Sequence, residues 1–197
     1  MHASSMEHMK RFVNKYSAQL PSNFRVLDVG SIDVNGTYKN LFDENVRYLG
    51  IDLEKGQNVD IVLKDPYFFP LASNSIDLIV SGQAFEHIEF FWLTWMEMVR
   101  VAKDGGYIFL IAPSRGPEHR YPVDCWRFYP DGYRALAKLG SCQLIEVAID
   151  WEAHLDPGSS PWGDCVGVFK KMPRSKVKKI SDFFQHHFFR MGNAFKN

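Results

Sequence analysis

Two groups of residues in this chain of 197 have the types and spacing that chemistry uses. The first is made of acids and a glycine. The short apolar run Phe24-Arg25-Val26-Leu27-Asp28-Val29 ends at Gly30 and Ser31, and a second acid, Asp52, closes Tyr48-Leu49-Gly50-Ile51-Asp52. A glycine directly after a β-type run lets the backbone turn sharply and leaves room for a ligand. An acid at the end of the next strand can accept hydrogen bonds from both hydroxyls of a ribose. The dinucleotide fingerprint needs glycines at the spacing GxGxxG, but counted from Gly30 those positions hold Ile32 and Asn35. A side chain at the second position blocks the close approach of a pyrophosphate, whereas a nucleoside without phosphate is still accommodated. Ordinary turns and surface acids use the same residue types, so both readings stay open on these residues alone.

The second group lies further along. His87 has the one side chain that ordinarily changes charge near neutral pH and suits a general base; a histidine that merely structures a helix start is the alternative. Residues 114–128 gather His119, Tyr121, Asp124, Trp126 and Arg127 in a single polar stretch. His119 and Asp124 make a possible base and orienter. Tyr121, Trp126 and Arg127 make a possible acceptor site, with Trp126 stacking on a sugar ring and Arg127 holding a carboxylate or phosphate. The other reading has Trp126 and Phe128 anchoring the segment to the core while Arg127 bridges to an acid.

Both groups need a scaffold. Met6, Met9, Phe12, Val13, Tyr16 and Leu20 recur at helical spacing until Pro21. Residues 24–30, 48–52, 60–63 and 75–81 read as four strands. A helix is expected from about Phe90 to Lys103, stopped by Gly105-Gly106. Tyr107–Ala112 is a fifth strand, apolar throughout and so buried on both faces. Another helix runs from Tyr129 to about Leu139, followed by strands at 143–149 and 165–170 joined by a Gly/Pro/Ser-rich loop. Strands alternating with helices predict an α/β three-layer sandwich, a mostly parallel seven-stranded sheet whose last strand, returning by a hairpin, is antiparallel. In such sheets both groups fall at the carboxyl ends of the strands, where ligands bind.

Composition excludes several classes. Net charge is zero, with no global field to draw in nucleic acid. Residues 1–100 carry 9 basic and 13 acidic side chains, and the rest carry 14 and 10. Three cysteines, Cys125, Cys142 and Cys165, odd in number and without a CxxC pair, suit a reducing compartment such as the cytoplasm and argue against a disulfide framework or a zinc site. The start of the chain has no signal-type apolar region, and no stretch of 18 apolar residues is available to span a membrane. Aromatic residues, 15% of the chain, suit either a rich core or a stacking pocket.

Taken together and in order, the motifs resemble class I S-adenosylmethionine (SAM)-dependent methyltransferases. Val26–Ser31 with the delayed Asn35-Gly36 is similar to the first motif of that family, and residues 48–53 resemble its ribose-binding motif. Asp65 followed by Pro70-Leu71 and Asp77, then Glu86-His87, then Glu97–Gly106, follow the remaining pattern. The resemblance implies a Rossmann-like fold and SAM as cofactor, with S-adenosylhomocysteine as product. It implies that Asp28, Gly30 and Ser31 lie beside the methionine moiety, Asp52 at the ribose, and Asp65 at the adenine amino group with Leu53 and Pro66 along the ring. Ser81 and Gln83 would line the methionine end. Arg100 and Glu97 are expected to hold helix to sheet. No catalytic metal is required for this chemistry. The run from His119 to Gly132 loosely resembles methyltransferases encoded with glycan and secondary-metabolite assembly. That tilts the expected acceptor toward a hydroxyl of a small polar or sugar-like molecule, with no nucleic acid as partner. An N-methyltransferase, a macromolecule methyltransferase and a non-catalytic SAM-binding scaffold are the alternatives. Residues 1–173 are expected to form the methyltransferase domain. Residues 174–197, basic and then apolar at helical spacing, are expected to form an amphipathic tail packing on its own domain or a homodimer mate, or touching a membrane surface.

Overall fold

The structure, a computed structural model, describes residues 2–173, so the expected tail helix lies outside the described residues. The first helix, α1 (Ala3–Tyr16), buries Met9, Phe12, Val13 and Tyr16, a stripe that three- and four-residue spacing puts on one side. Burial of each of these side chains stabilises the fold by roughly 1.5–3 kcal/mol. The helix begins three residues before the expected start, and this extra turn buries Ser4 and Ser5. It tightens into a 3-10 turn at Ser17–Gln19 ahead of Pro21.

Seven strands form one sheet: β1 (Arg25–Val29), β2 (Arg47–Asp52), β3 (Ile61–Val62), β4 (Ile76–Gly82), β5 (Ala102–Pro113), β6 (Cys142–Ile149) and β7 (Asp164–Lys171). Their order is β3-β2-β1-β4-β5-β7-β6. The first five are parallel, and β7 runs antiparallel to both β5 and β6. The expected antiparallel last strand is therefore present. α1 packs on one face through Phe12 and Tyr16 against Phe109 and Tyr107. On the other face, Trp95, Met98 and Val99 of α2 (Phe91–Val101) and Tyr133, Leu136 and Ala137 of α3 (Pro130–Gly140) share one core. Three layers result, and β4 and most of β5 are buried on both sides. Among the described residues no helix is long and apolar enough to cross a membrane.

One boundary corrects the sequence reading. Gly105-Gly106 does not stop α2, which ends at Val101 and passes directly into β5. Ile76 pairs with Ala102 while Leu78 pairs with Tyr107, so the residues between form a bulge in the first part of β5. Gly105, at φ +83°, supplies the left-handed conformation that this bulge needs.

Candidate active site

The carboxyl ends of β1, β2 and β4 form the first half of the site. Gly30 turns at φ +80°, and a Cβ there would sit 2.5 Å from the Cβ of Ala84, so only glycine lets the β1 turn approach the segment after β4. The Gly30 and Ser31 amides both donate to the Ile51 carbonyl, and Ser31 Oγ donates to the Asn58 carbonyl at 3.0 Å. Asp52 closes the turn from the other side, accepting from the Ile32 amide at 2.9 Å and the Leu53 amide at 2.7 Å. Its carboxylate stays half-exposed next to the exposed Leu53. Asp65 accepts from the Tyr67 amide, and the Pro66 carbonyl accepts from Thr94 Oγ1. Asp52 thus ends β2 with Leu53 directly after it, and Asp65 and Pro66 follow β3.

Two expected contacts turn inward instead. Ser81 is fully buried and donates to the Val29 carbonyl at 2.8 Å, tying β4 to β1, so its hydroxyl does not line the ligand side. Asp28 is buried beneath the turn and accepts from the Tyr48 hydroxyl. Burial pushes its carboxyl up to about 7, partly opposed by that hydrogen bond. Arg100 and Glu97 behave as expected: they pair at 2.6 Å, Arg100 also donates to the Leu71 and Phe69 carbonyls, and Glu97 accepts from the Phe69 amide.

The start of α1 lies across the same strand ends. Ser4 donates to Asp164 at 2.8 Å, Ser5 shares a 2.6 Å hydrogen bond with the Tyr38 hydroxyl, and Gln83 donates to Asp164 at 2.8 Å. Tyr38, buried, lies so close over β4 that a Cβ on Gly82 would come within 1.8 Å of its hydroxyl. Sequence reasoning missed Tyr38, Asp164 and this cap, because nothing in their spacing marks them.

The second half of the site is the loop of residues 114–128 folded over β4 and β5. It is anchored by the Cys125 and Trp126 amides, which donate to the Glu86 carbonyl, and by Trp126 Nε1, which donates to the Ile88 and Glu89 carbonyls. Trp126 keeps 38% of its surface exposed and Tyr121 65%, so both remain at the rim. Arg127 is corrected to the anchoring alternative. It clamps Asp124 with bonds of 2.6 and 2.8 Å and donates also to the Trp126 and Pro117 carbonyls, so its terminal nitrogens are committed inside the loop. That guanidinium holds the Asp124 carboxyl well below its usual range. Asp124 accepts from the His119 amide at 2.8 Å but stands 3.5 Å from His119 Nδ1, too far to orient the ring by a good hydrogen bond.

His119 of this loop meets Glu86 and His87 beneath it. His87 Nδ1 is 2.5 Å from the Val123 carbonyl, which can only accept, so Nδ1 carries a hydrogen and Nε2 faces the interior. His119 packs edge-on to His87 at 4.8 Å between ring centroids, and Trp162 lies 4.5 Å away on its other side. Glu86 is fully buried, with Oε1 3.6 Å from His87 Nε2, and among the described residues neither carboxyl oxygen has a hydrogen-bond partner. Burial pushes Glu86 up to about 8, and it lowers His119, helped by His87. Glu86 was visible in the sequence as the neighbour of His87; its burial was not.

Comparisons with known proteins agree with this architecture. Residues 15–110 match a family described as "Methyltransferase domain". No curated protein matches the chain. Among solved structures, the 1,6-didemethyltoxoflavin-N1-methyltransferase of Burkholderia thailandensis, with S-adenosylhomocysteine bound, superposes with a TM-score of 0.67 at 11% identity over 86% of this chain and 79% of that one. A SAM-dependent methyltransferase from Archaeoglobus fulgidus gives 0.60 at 15% identity over 85% and 95%. The [4+2]-cyclase SpnF gives 0.62 at 13% identity over 84% and 81%. At these identities the likeness shows the fold, and the cyclase shows that this fold also carries other reactions.

Proposed function

We propose that this chain, which belongs to the class I SAM-dependent methyltransferases, methylates a hydroxyl of a small polar or sugar-like acceptor. The observation that carries the acceptor reading is the cluster of Glu86, His87 and His119 under the rim residues Tyr121 and Trp126. A neutral amine attacks with its own lone pair, whereas a hydroxyl gains nucleophilicity as its proton is taken. A site of imidazole and carboxyl groups with free lone pairs suits the hydroxyl. Trp126 and Tyr121 offer the aromatic faces on which a sugar ring or small planar polar molecule rests.

The residues fit the cofactor. Gly30, which has no Cβ to hold Ala84 off, lets the β1 turn close tightly at the strand end, and Asp52 is half-exposed beside it. Asp52 would hold the ribose, Leu53 and Pro66 the adenine faces, Asp65 its amino group, and Gly30, Ser31 and Gln83 the methionine end. Asp28 would act from beneath the turn. The cofactor supplies a methyl carbon activated by its sulfonium. The protein aligns the acceptor in line and excludes water, here through the loop of residues 114–128 and Trp162. His119 is positioned by Asp124 through its backbone amide. Three free cysteines support a reducing compartment such as the cytoplasm. The domain boundary at residue 173 is supported by β7, the last strand among the described residues, which ends at Lys171.

The test is transfer of labelled methyl from SAM to matched acceptors carrying a hydroxyl, an amine or neither at one position. O-methyl product is expected from the first alone. Methylation confined to the amine overturns the acceptor reading, and NADH binding without SAM binding overturns the enzyme class.

A further inference from the structure

We propose that Glu86, His87 and His119 form a binding site for a divalent first-row transition metal at the acceptor side of the cleft. One ligand atom from each of the three residues lies within 4.8 Å of the other two. A tetrahedral ion with bonds of about 2.05 Å sets its ligand atoms about 3.3 Å apart. The 3.6 Å between Glu86 Oε1 and His87 Nε2 is already near that spacing. His119 brings its ligand atom within 4.8 Å of the other two, so an ion would need to draw that ring in by about 1.5 Å.

An independent observation points to a missing ligand. Glu86 has no exposed surface, and both its oxygens lack a hydrogen-bond partner among the described residues. Nδ1 of His119 is buried and unpartnered as well. Buried polar groups are nearly always satisfied, and each exception calls for an explanation such as an ion. The Arg127 charge acts on Glu86 from nearby, but its terminal nitrogens go to Asp124 and two carbonyls, and its Nε, itself buried and unpartnered, makes no hydrogen bond to Glu86. A divalent ion bonded to Glu86 would satisfy the carboxylate directly.

His87 is also prepared as a ligand. Donation from Nδ1 to the Val123 carbonyl fixes the tautomer and leaves the Nε2 lone pair facing Glu86. This is the outer-sphere bond that metal-binding histidines almost always make. Two imidazoles and one carboxylate select a borderline ion such as zinc, cobalt or ferrous iron over magnesium or calcium, which prefer oxygen. Three protein ligands leave at least one position open. Sequence spacing gave no hint of this, because His119 lies 32 residues beyond His87 with no recognisable ligand motif between them. The assignment departs from the expectation of a metal-free site. Its catalytic meaning rests on the hydroxyl reading above: an acceptor oxygen in the open position would lose its proton more readily. Binding itself does not depend on that reading.

The test uses the full chain, stripped with chelator and loaded separately with zinc and cobalt(II), with metal content measured after desalting. One equivalent of either ion is expected, with a visible cobalt spectrum of low coordination number. Glu86→Gln and His119→Ala should both lose the bound metal while keeping SAM affinity and the folded circular-dichroism spectrum. Because Glu86 is buried, His119→Ala keeps the test valid if Glu86→Gln fails to fold. Wild-type protein that retains no stoichiometric metal overturns the proposal, as does retention undiminished in His119→Ala. So does a Glu86→Gln variant that folds but loses SAM rather than metal. Stoichiometric metal in a protein that methylates only amines would keep the site and remove the hydroxyl reading.

Discussion

Each half of the cleft holds a buried carboxyl at its centre, Asp28 in one and Glu86 in the other, and the two differ in what surrounds them. On the cofactor side, Asp28 accepts from Tyr48, and the Gly30, Ser31 and Ile32 amides of the turn above it all donate to β2. On the acceptor side, neither Glu86 oxygen has a hydrogen-bond partner of good geometry among the described residues, and the carboxyl meets His87 beside it and His119 from a loop distant in sequence. A satisfied network holds its shape before any ligand arrives. An unsatisfied one stores a cost of about 1–3 kcal/mol for each orphaned group, which a ligand recovers on binding. The first half is thus preorganised, and the second is poised for what completes it.

The largest effect that sharpens this comparison is the pH dependence of stability through Asp28. Its folded-state value of about 7 lies above the ordinary 3.8, so the native state holds the proton more tightly than the unfolded chain. The stability it contributes is fully present below about pH 4 and is lost as pH rises to about 7. Three units at 1.36 kcal/mol each set an upper size of about 4 kcal/mol. Tyr48 and, more distantly, Asp52 are the groups that face it. Asp28→Asn keeps an acceptor for the Tyr48 hydroxyl and removes the titration. Melting temperatures from pH 4 to 8 should fall less steeply in Asp28→Asn than in the wild type. Parallel slopes would show that Asp28 is already ionised in the fold, and the contrast between its surroundings and those of Glu86 would have to be redrawn.

How far the sequence reached follows the same division. The order of strands and helices, the antiparallel last strand and the position of Asp52 at the end of β2 were legible, because each follows from local apolar runs and the breaks between them. The Arg100–Glu97 pair was legible because three residues on a helix set it. What failed needed facts from elsewhere in the chain. Gly105-Gly106 looks like a helix stop, and only pairing with β4 shows a bulge. Ser81 and Val80 differ in the face they present, and Arg127 has an acid three residues away that local spacing did not force it to choose. Tyr38, Glu86, Asp164 and Trp162 come together from segments as much as 126 residues apart, and no periodicity reports that.

The intermediate effect is at the ribose position. Asp52→Ala should weaken SAM binding by roughly 1.5–3 kcal/mol, or about 10- to 150-fold, because the lost hydrogen bonds involve a charged acceptor. It also frees the Ile32 and Leu53 amides, so part of the loss would appear as loosening of the turn. Calorimetric titration beside thermal melting separates the two. Unchanged affinity would remove Asp52 from the cofactor site, and with it the view that this half is ready-made.

The smallest effect comes from Ser81. Its hydroxyl is buried and donates to the Val29 carbonyl, away from the cleft. Ser81→Ala deletes one neutral hydrogen bond and almost no volume, which should cost about 1 kcal/mol of stability. The Val29 carbonyl belongs to the strand that ends in the Gly30 turn, so a shift of β1 against β4 is the one route by which this substitution could reach the ligand. A preorganised turn, held separately by the Ile51 carbonyl and Asp52, should not transmit it. The expected result is a lower melting temperature with the same SAM affinity. A tenfold loss of affinity, about 1.4 kcal/mol, would mean that the β1–β4 seam helps to set the turn. The cofactor half would then depend on the strand that also carries Glu86 and His87 at its end, and the two halves of the cleft would be coupled through β4.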